Sequence, residues 1–113
     1  MSNNFAHSIF WPFEADQPSN AVMVSMNHNA GYELLEARQD VALRPMHRLG
    51  GKAPSGTIEA LKKEAIDVFT KARGADGELK RANAQKLGKQ FADLWEKDGF
   101  GWKELQRFAD ILN

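Results

Sequence analysis

Residues 10–22 read "FWPFEADQPSNAV", an apolar run that breaks at a polar corner and resumes with helical character. The upstream piece, "SIFWPF" over residues 8–13, has Pro12 near its end, the pattern of a brief buried or edge strand. Asp16 stands ahead of "QPSNAVMVSMNHN", and Pro18 falls in the first helical turn, where backbone N–H groups have no internal partner. Ala21, Val22, Met23, Val24 and Met26 make this helix apolar over most of its girth, so it is expected to be buried. Gly31 is placed to end it in a left-handed cap. "YELLEAR", residues 32–38, suggests a second short strand by its length and glycine flank, while its Glu and Leu content suggests a helix turn; the strand is the favoured reading.

Working outward, residues 39–56 read as loop, because Pro45, Pro54 and three glycines break any periodicity. The second half is a three-helix segment over residues 57–113. Thr57 can cap a helix running to about Ala72, with Ile58, Leu61, Ala65, Val68 and Ala72 at helical spacing and Ile66 and Phe69 widening the stripe. Glu59–Lys63, Lys63–Asp67 and Asp67–Lys71 fall at i,i+4 on its outer face, each worth about 0.2–0.5 kcal/mol. "RGADGE" makes a tight turn, and Asp76 starts a long helix to about Lys97, with Leu79, Leu87, Phe91, Leu94 and Trp95 as its inner face. "KDGFG" stops it at Gly99, and a last helix covers "WKELQRFADIL", with Trp102, Leu105, Phe108, Ala109 and Leu112 pointing inward. The fold class is therefore mostly α with one or two short β-strands, in a single domain over residues 1–113. Two lone strands make no stable sheet, so either helices cover them or another chain pairs with them.

Composition narrows the function classes. The 113-residue chain is 42% hydrophobic and carries fifteen basic and fifteen acidic residues. A net charge of zero argues against bulk electrostatic binding to nucleic acid or an anionic membrane. No cysteine is present, which removes disulfides and thiolate metal sites. The opening "MSNNFAHS" lacks the basic and apolar regions of a signal peptide, and no window has the apolar length of a membrane span, so a cytoplasmic location is expected. His7, His28 and His47 lie about twenty residues apart, and no pair has the spacing of a helix-borne metal site. Lys80, Arg81, Lys86 and Lys89 read as a solvated helix face, with Glu78, Asp93 and Glu96 restoring neutrality. Trp95, Trp102 and Phe108 read as packing between the last two helices.

The corner itself carries the chemistry. A carboxylate accepts hydrogen bonds from two neighbouring hydroxyls at once, and a primary amide gives one and takes another. Asp16 and Gln17 side by side therefore suit a vicinal diol of a hexose, and a strand–loop–helix start is where α/β folds place ligands. The competing reading makes Asp16 an N-cap worth about 1 kcal/mol with Gln17 exposed.

"WPFEADQPSNA", residues 11–21, resembles the end of the donor-sugar signature of UDP-dependent glycosyltransferases of the two-Rossmann, GT-B architecture. There a Trp-Pro pair, three variable residues, an acidic residue, Gln, two more residues and Asn-Ala close the signature. Those positions are filled here by Trp11, Pro12, Phe13, Glu14, Ala15, Asp16, Gln17, Pro18, Ser19, Asn20 and Ala21 without a gap. The resemblance implies that Asp16 and Gln17 hydrogen-bond the transferred sugar, with Trp11, Phe13, Glu14 and Asn20 as site neighbours and a UDP-sugar as the ligand. Downstream, "NAGYELLEAR", "LRPMHR", "PSGTIEALKKE" and the helical tail look like fungal members of that family.

The departures are equally informative. Family members are several times longer and carry a His-Cys-Gly-Trp-Asn-Ser-like pyrophosphate grip, an uracil-stacking Trp, a ribose-binding Glu and an acceptor domain with a catalytic His base. None of these is present, so no catalytic residue is assigned. The resemblance implies a truncated α/β, Rossmann-like C-terminal fragment of a donor domain. Such a fragment would be non-catalytic alone, binding a nucleotide sugar or completing a partner-dependent transferase. The alternative is a helical homo-oligomeric interaction or scaffold protein without ligand chemistry. In either case bare strands are expected to favour association, most simply as a two-fold dimer or with a partner chain.

Overall fold

The computed structural model describes residues 7–112. Strand β1 (Ser8–Phe10) leads through the corner into helix α1 (Gln17–Val22), and strand β2 (Gly31–Glu33) returns alongside β1. The strands are parallel, with Ser8 opposite Gly31, Ile9 opposite Tyr32 and Phe10 opposite Glu33. Parallel neighbours need a crossover of a dozen or more residues, and residues 11–30 supply it. Helices α2 (Ile58–Arg73), α3 (Ala75–Trp95) and α4 (Phe100–Leu112) follow. The chain is thus mostly helical with two short parallel strands, an arrangement compatible with a partial α/β fold.

Several local expectations need correction. Helix α1 ends early and widens into a π-helical turn over Met23–Asn27. Asn29, with φ of 49°, takes the left-handed position expected of Gly31. Gly31 instead sits in β2, where an added Cβ would lie 2.8 Å from the Ser8 carbonyl oxygen and 3.0 Å from the Phe10 ring. A glycine fits here because the β1 backbone, the Phe10 ring and Val24 approach too closely to admit a side chain. The α1 segment is only half sunk: Ala21 is fully buried, while Met23 and Met26 are exposed. A two-stranded sheet covers one side of a helix, and on the other the 46–48 turn approaches, with Arg48 Nη1 3.2 Å from Met26 Sδ.

The second strand stops at Glu33 rather than running through Arg38. The Glu64 carboxylate accepts from the backbone N–H of Leu35 at 2.7 Å and of Glu36 at 2.8 Å, turning that segment toward α2. Residues 39–56 form the expected connection, but with two short 3-10 turns and an antiparallel bridge between Met46 and Lys52.

Helix α2 follows its sequence pattern closely. Thr57 is its N-cap, its hydroxyl accepting from the Ala60 N–H at 3.1 Å. Of the proposed stripe, Val68 and Ala72 are buried and Leu61 packs beside them, whereas Ile58, Ile66 and Phe69 face outward. One of the three expected i,i+4 pairs closes, Asp67–Lys71 at 2.8 Å between exposed side chains. Val68 and Ala72 meet Tyr32, Leu34 and Ala37 in one hydrophobic cluster. The helices therefore cover the strand pair, which is how two strands can persist.

Helix α3 is anchored at its start. Gly77 is buried against the end of α2, where a Cβ would fall 1.9 Å from the Ala72 carbonyl oxygen. Beyond its middle the anchoring fades. Leu79, Phe91, Leu94 and Trp95 were expected inside and are exposed, with Leu87 half-buried. Helix α4 contains no buried residue: the Trp95 ring lies against its start at Gly101, but Trp95, Trp102 and Phe108 stay exposed, so the expected core between the last two helices does not form. The radius of gyration is 18.0 Å. A compact chain of this length would have roughly 13 Å. The excess reflects the end of α3 and α4 extending away from the core.

Candidate functional site

The corner between β1 and α1 is built by a strained turn. Ala15 adopts a φ of 56°, unusual for a residue with a side chain, and this swings Asp16 and Gln17 outward. Asp16 occupies the N-cap position of α1 and Gln17 is exposed, but the Asp16 side chain makes no cap hydrogen bond, so the capping contribution expected of it is missing. Its Oδ2 instead accepts from Asn20 Nδ2 at 3.1 Å, one turn on. Gln17 folds back over the turn: its Oε1 accepts from the Phe13 N–H at 2.8 Å and the Glu14 N–H at 3.3 Å. Those two backbone donors fix which end of the amide is oxygen.

What is left over defines the chemistry. Asp16 Oδ1 is an acceptor, and Gln17 Nε2 carries two donors, with no hydrogen bond to either among the described residues. Both residues are exposed, as are Trp11, Phe13, Glu14 and Asn20. Trp11, Phe13 and Glu14 line a cavity of about 330 Å³ closed on its far side by Arg38 and Asp40. Asp16 and Gln17 do not line it, nor the neighbouring space of about 450 Å³ between α1 and the 46–48 turn. The structure therefore brings the signature residues together at one exposed corner, but splits them between the cavity wall and its outer rim.

Behind the corner lies a charged cluster with no sequence signal. Glu33 Oε1 accepts from Arg38 at 2.6 Å and from Arg48 at 2.8 Å, and the Glu33 side chain is only 4% exposed. Arg38 lines both spaces flanking α1. The five- and fifteen-residue separations match no helical or strand period, so only the folded loop reveals the group.

Other titratable groups serve the scaffold. Tyr32 donates to Asp76 Oδ2 at 2.5 Å, and burial followed by that hydrogen bond pushes the phenol up to about 12. Glu36 is held below the usual glutamate range, first by the Gly56 N–H and, against the opposing effect of burial, by Ser55. Lys80 departs from the expected solvated face: it is buried, donates to Asn29 Oδ1 at 2.6 Å, and stands 4.6 Å above the Tyr32 ring. His7 packs edge-on against Tyr32, with ring centres 5.7 Å apart, and burial followed by Arg81 and Lys80 lowers its pKa. Among the described residues no cluster of three His, Asp or Glu side chains could hold a metal ion, and no helix is long and apolar enough to cross a membrane.

Comparison with known proteins adds one relationship. No family model matches the chain, and no solved structure matches it significantly. A protein described as UDP-glycosyltransferase eriJ, from Hericium erinaceus, is 34% identical over 93 residues, which is 80% of this chain. The matched part is 18% of that relative's length. Identity at this level over four-fifths of the chain supports a glycosyltransferase relationship for this protein.

Proposed function

We propose that the chain is a donor-domain fragment of the GT-B type that grips the hexose of a UDP-sugar at Asp16 and Gln17 and performs no glycosyl transfer alone. The observation that carries this reading is the pair of unused groups at the corner. One carboxylate oxygen and one amide NH₂ stand on adjacent exposed residues, the donor–acceptor pair that a vicinal diol matches. The hydrogen bonds that hold Gln17 to the turn fix its rotamer in advance, which lowers the ordering cost of binding. Trp11 and Phe13 offer aromatic faces beside the corner, and Glu14 offers a further acceptor. Glycosyl transfer would need a catalytic base and a pyrophosphate grip in addition to this corner.

The expected affinity is low. A bond to the carboxylate is worth about 1.5–3 kcal/mol and a neutral amide bond about 0.5–1.5 kcal/mol. Their sum is of the order of a millimolar dissociation constant, which corresponds to about 4 kcal/mol. The test is an amide-resolved NMR titration of labelled protein with UDP-glucose, UDP and free glucose in the millimolar range. Shifts confined to residues 14–21 with the two hexose ligands, abolished by Asp16→Asn or Gln17→Ala, are expected. A spectrum unmoved by all three ligands overturns the reading. The exposure of α4 favours the scaffold alternative, in which the corner is only inherited.

A further inference from the structure

We propose that the apolar face of α4 is a self-association surface, on which α4 of a second copy packs antiparallel about a two-fold axis. The inference does not depend on the sugar corner. It begins with exposure. Phe100, Trp102, Leu105, Phe108, Ile111 and Leu112 are between 38% and 81% exposed. At 3.6 residues per turn they occupy little more than half of the helix circumference, with Lys103, Gln106 and Asp110 on the opposite side. A large side chain offers roughly 150–250 Å² when fully buried, so at these exposures the six present on the order of 700 Å². That exceeds the apolar patch of about 300–600 Å² usual on a monomer. It approaches the roughly 800 Å² that each partner contributes to a stable interface.

A second copy fits because α4 is complementary to itself. Place the two-fold axis between Gln106 and Arg107. Leu105 then lies opposite Phe108 of the other copy, Trp102 opposite Ile111, and Gly101 opposite Leu112. Large residues meet large ones near the centre, while Gly101 sits at the α3 end of the face, its Cβ position 3.4 Å from the Trp95 ring of the same chain. Charge agrees with this register. Arg107 borders the apolar face and Glu104 lies just inside that border, between Ile111 and Phe108; the two pair within the helix at 2.9 Å with the Arg107 side chain 75% exposed. Antiparallel pairing sets that edge against its own copy, so each Glu104 lies near the Arg107 of the other chain. A two-fold interface requires this self-complementarity. The strand edges are weaker candidates, since β1 and β2 have three residues each.

Light scattering behind a sizing column, on the full chain at micromolar concentration, tests the proposal. A mass of twice the 12.7 kDa chain is expected. Leu105→Asp should return one chain mass with unchanged helical circular dichroism, because Leu105 is half exposed and supports no core. Arg107→Glu lines the shared edge with carboxylates of both copies and should weaken the dimer by about tenfold. Adding Glu104→Arg to that variant should restore it. A wild-type mass of one chain overturns the proposal and leaves the face to a different partner. A Leu105→Asp dimer overturns it too, as does a double variant no tighter than Arg107→Glu alone.

Discussion

The segment from β1 to the first turns of α3 and the segment from Leu87 to Leu112 differ in how they use their apolar residues. The first holds every buried hydrophobic side chain of the described residues, and four of those seven are alanines. The second carries Phe91, Trp95, Trp102 and Phe108 and buries none of them. Large apolar side chains therefore do not mark the core of this molecule. Close backbone approach marks it, with small residues at the contacts and buried carboxylates tying loops to helices. Substitutions that cut those ties should be costly in the first segment, and comparable ones in the second nearly silent.

The largest effect is expected at Glu33. Its carboxylate neutralises Arg38 and Arg48, whose side chains are 12% and 23% exposed. Removing one member of a buried ion group leaves uncompensated charge and costs about 3–5 kcal/mol. Glu33→Ala should lower the urea midpoint by a corresponding amount. A loss under about 1 kcal/mol would mean the arginines reach solvent, and that the first segment is no more tightly tied than the second.

Gly77→Ala comes next. The Ala72 carbonyl oxygen occupies the place of the new Cβ, and backbone cannot swing aside as a side-chain tip can. Separating α2 from α3 to make room should cost about 3 kcal/mol, at the upper end for overpacking. The same change at Gly88, half-buried in α3 beyond the anchor, should stabilise slightly through helix propensity, by up to about 1 kcal/mol. Thermal denaturation of the two variants, run side by side, gives the comparison directly.

This division explains which features were legible in the sequence. Thr57, the stripe through Val68 and Ala72, and the strand–corner–helix order follow from local chemistry, and they hold. The ties did not show. Glu64 reaches Leu35 across 29 residues, and Tyr32 reaches Asp76 across 44, and no local period encodes such separations. The inward faces assigned to α3 and α4 failed for a different reason. Periodicity reveals that a helix has an apolar side but not what covers it. At the corner, the sequence placed Asp16 and Gln17 together, while the turn that locks the Gln17 oxygen became visible only with coordinates.

Tyr32 offers a direct reading of the tied core, because it is the single tyrosine of the chain. Its phenol is raised from 10.0 to about 12 in the fold. The unfolded chain loses the proton first, so the associated stability is complete below pH 10 and declines as pH rises through the folded value. The loss amounts to about 3 kcal/mol. Ultraviolet titration should show a midpoint well above 10, falling back to 10 in denaturant. A midpoint near 10 in the folded protein would place the ring in solvent.

Glu36 should act with the opposite sign and less strength. Its carboxylate accepts from the Gly56 N–H at 2.8 Å and from the Ser55 N–H and hydroxyl, and its pKa is depressed. The stabilisation is present above the ordinary glutamate range and is lost as pH falls through the folded value. Glu36→Gln should cost about 1–2 kcal/mol at neutral pH and flatten the acid limb of the stability curve. An acid limb unchanged by the substitution would assign that limb to other carboxylates.

The smallest effect is expected at Phe108, and it sharpens the contrast most. Phenylalanine-to-serine substitution in a core would cost well over 2 kcal/mol through lost burial. Phe108 is 58% exposed on a helix with no buried residue. If the second segment is stabilised only by its own hydrogen bonds and the turn at residues 96–99, Phe108→Ser should change the unfolding free energy of the isolated chain by less than about 0.5 kcal/mol. The measurement has to be made at high dilution, where association cannot contribute. A large loss under those conditions would mean that α4 folds back onto the core and that the two segments are one cooperative unit. A loss that appears only as protein concentration rises would instead locate the burial of Phe108 between chains.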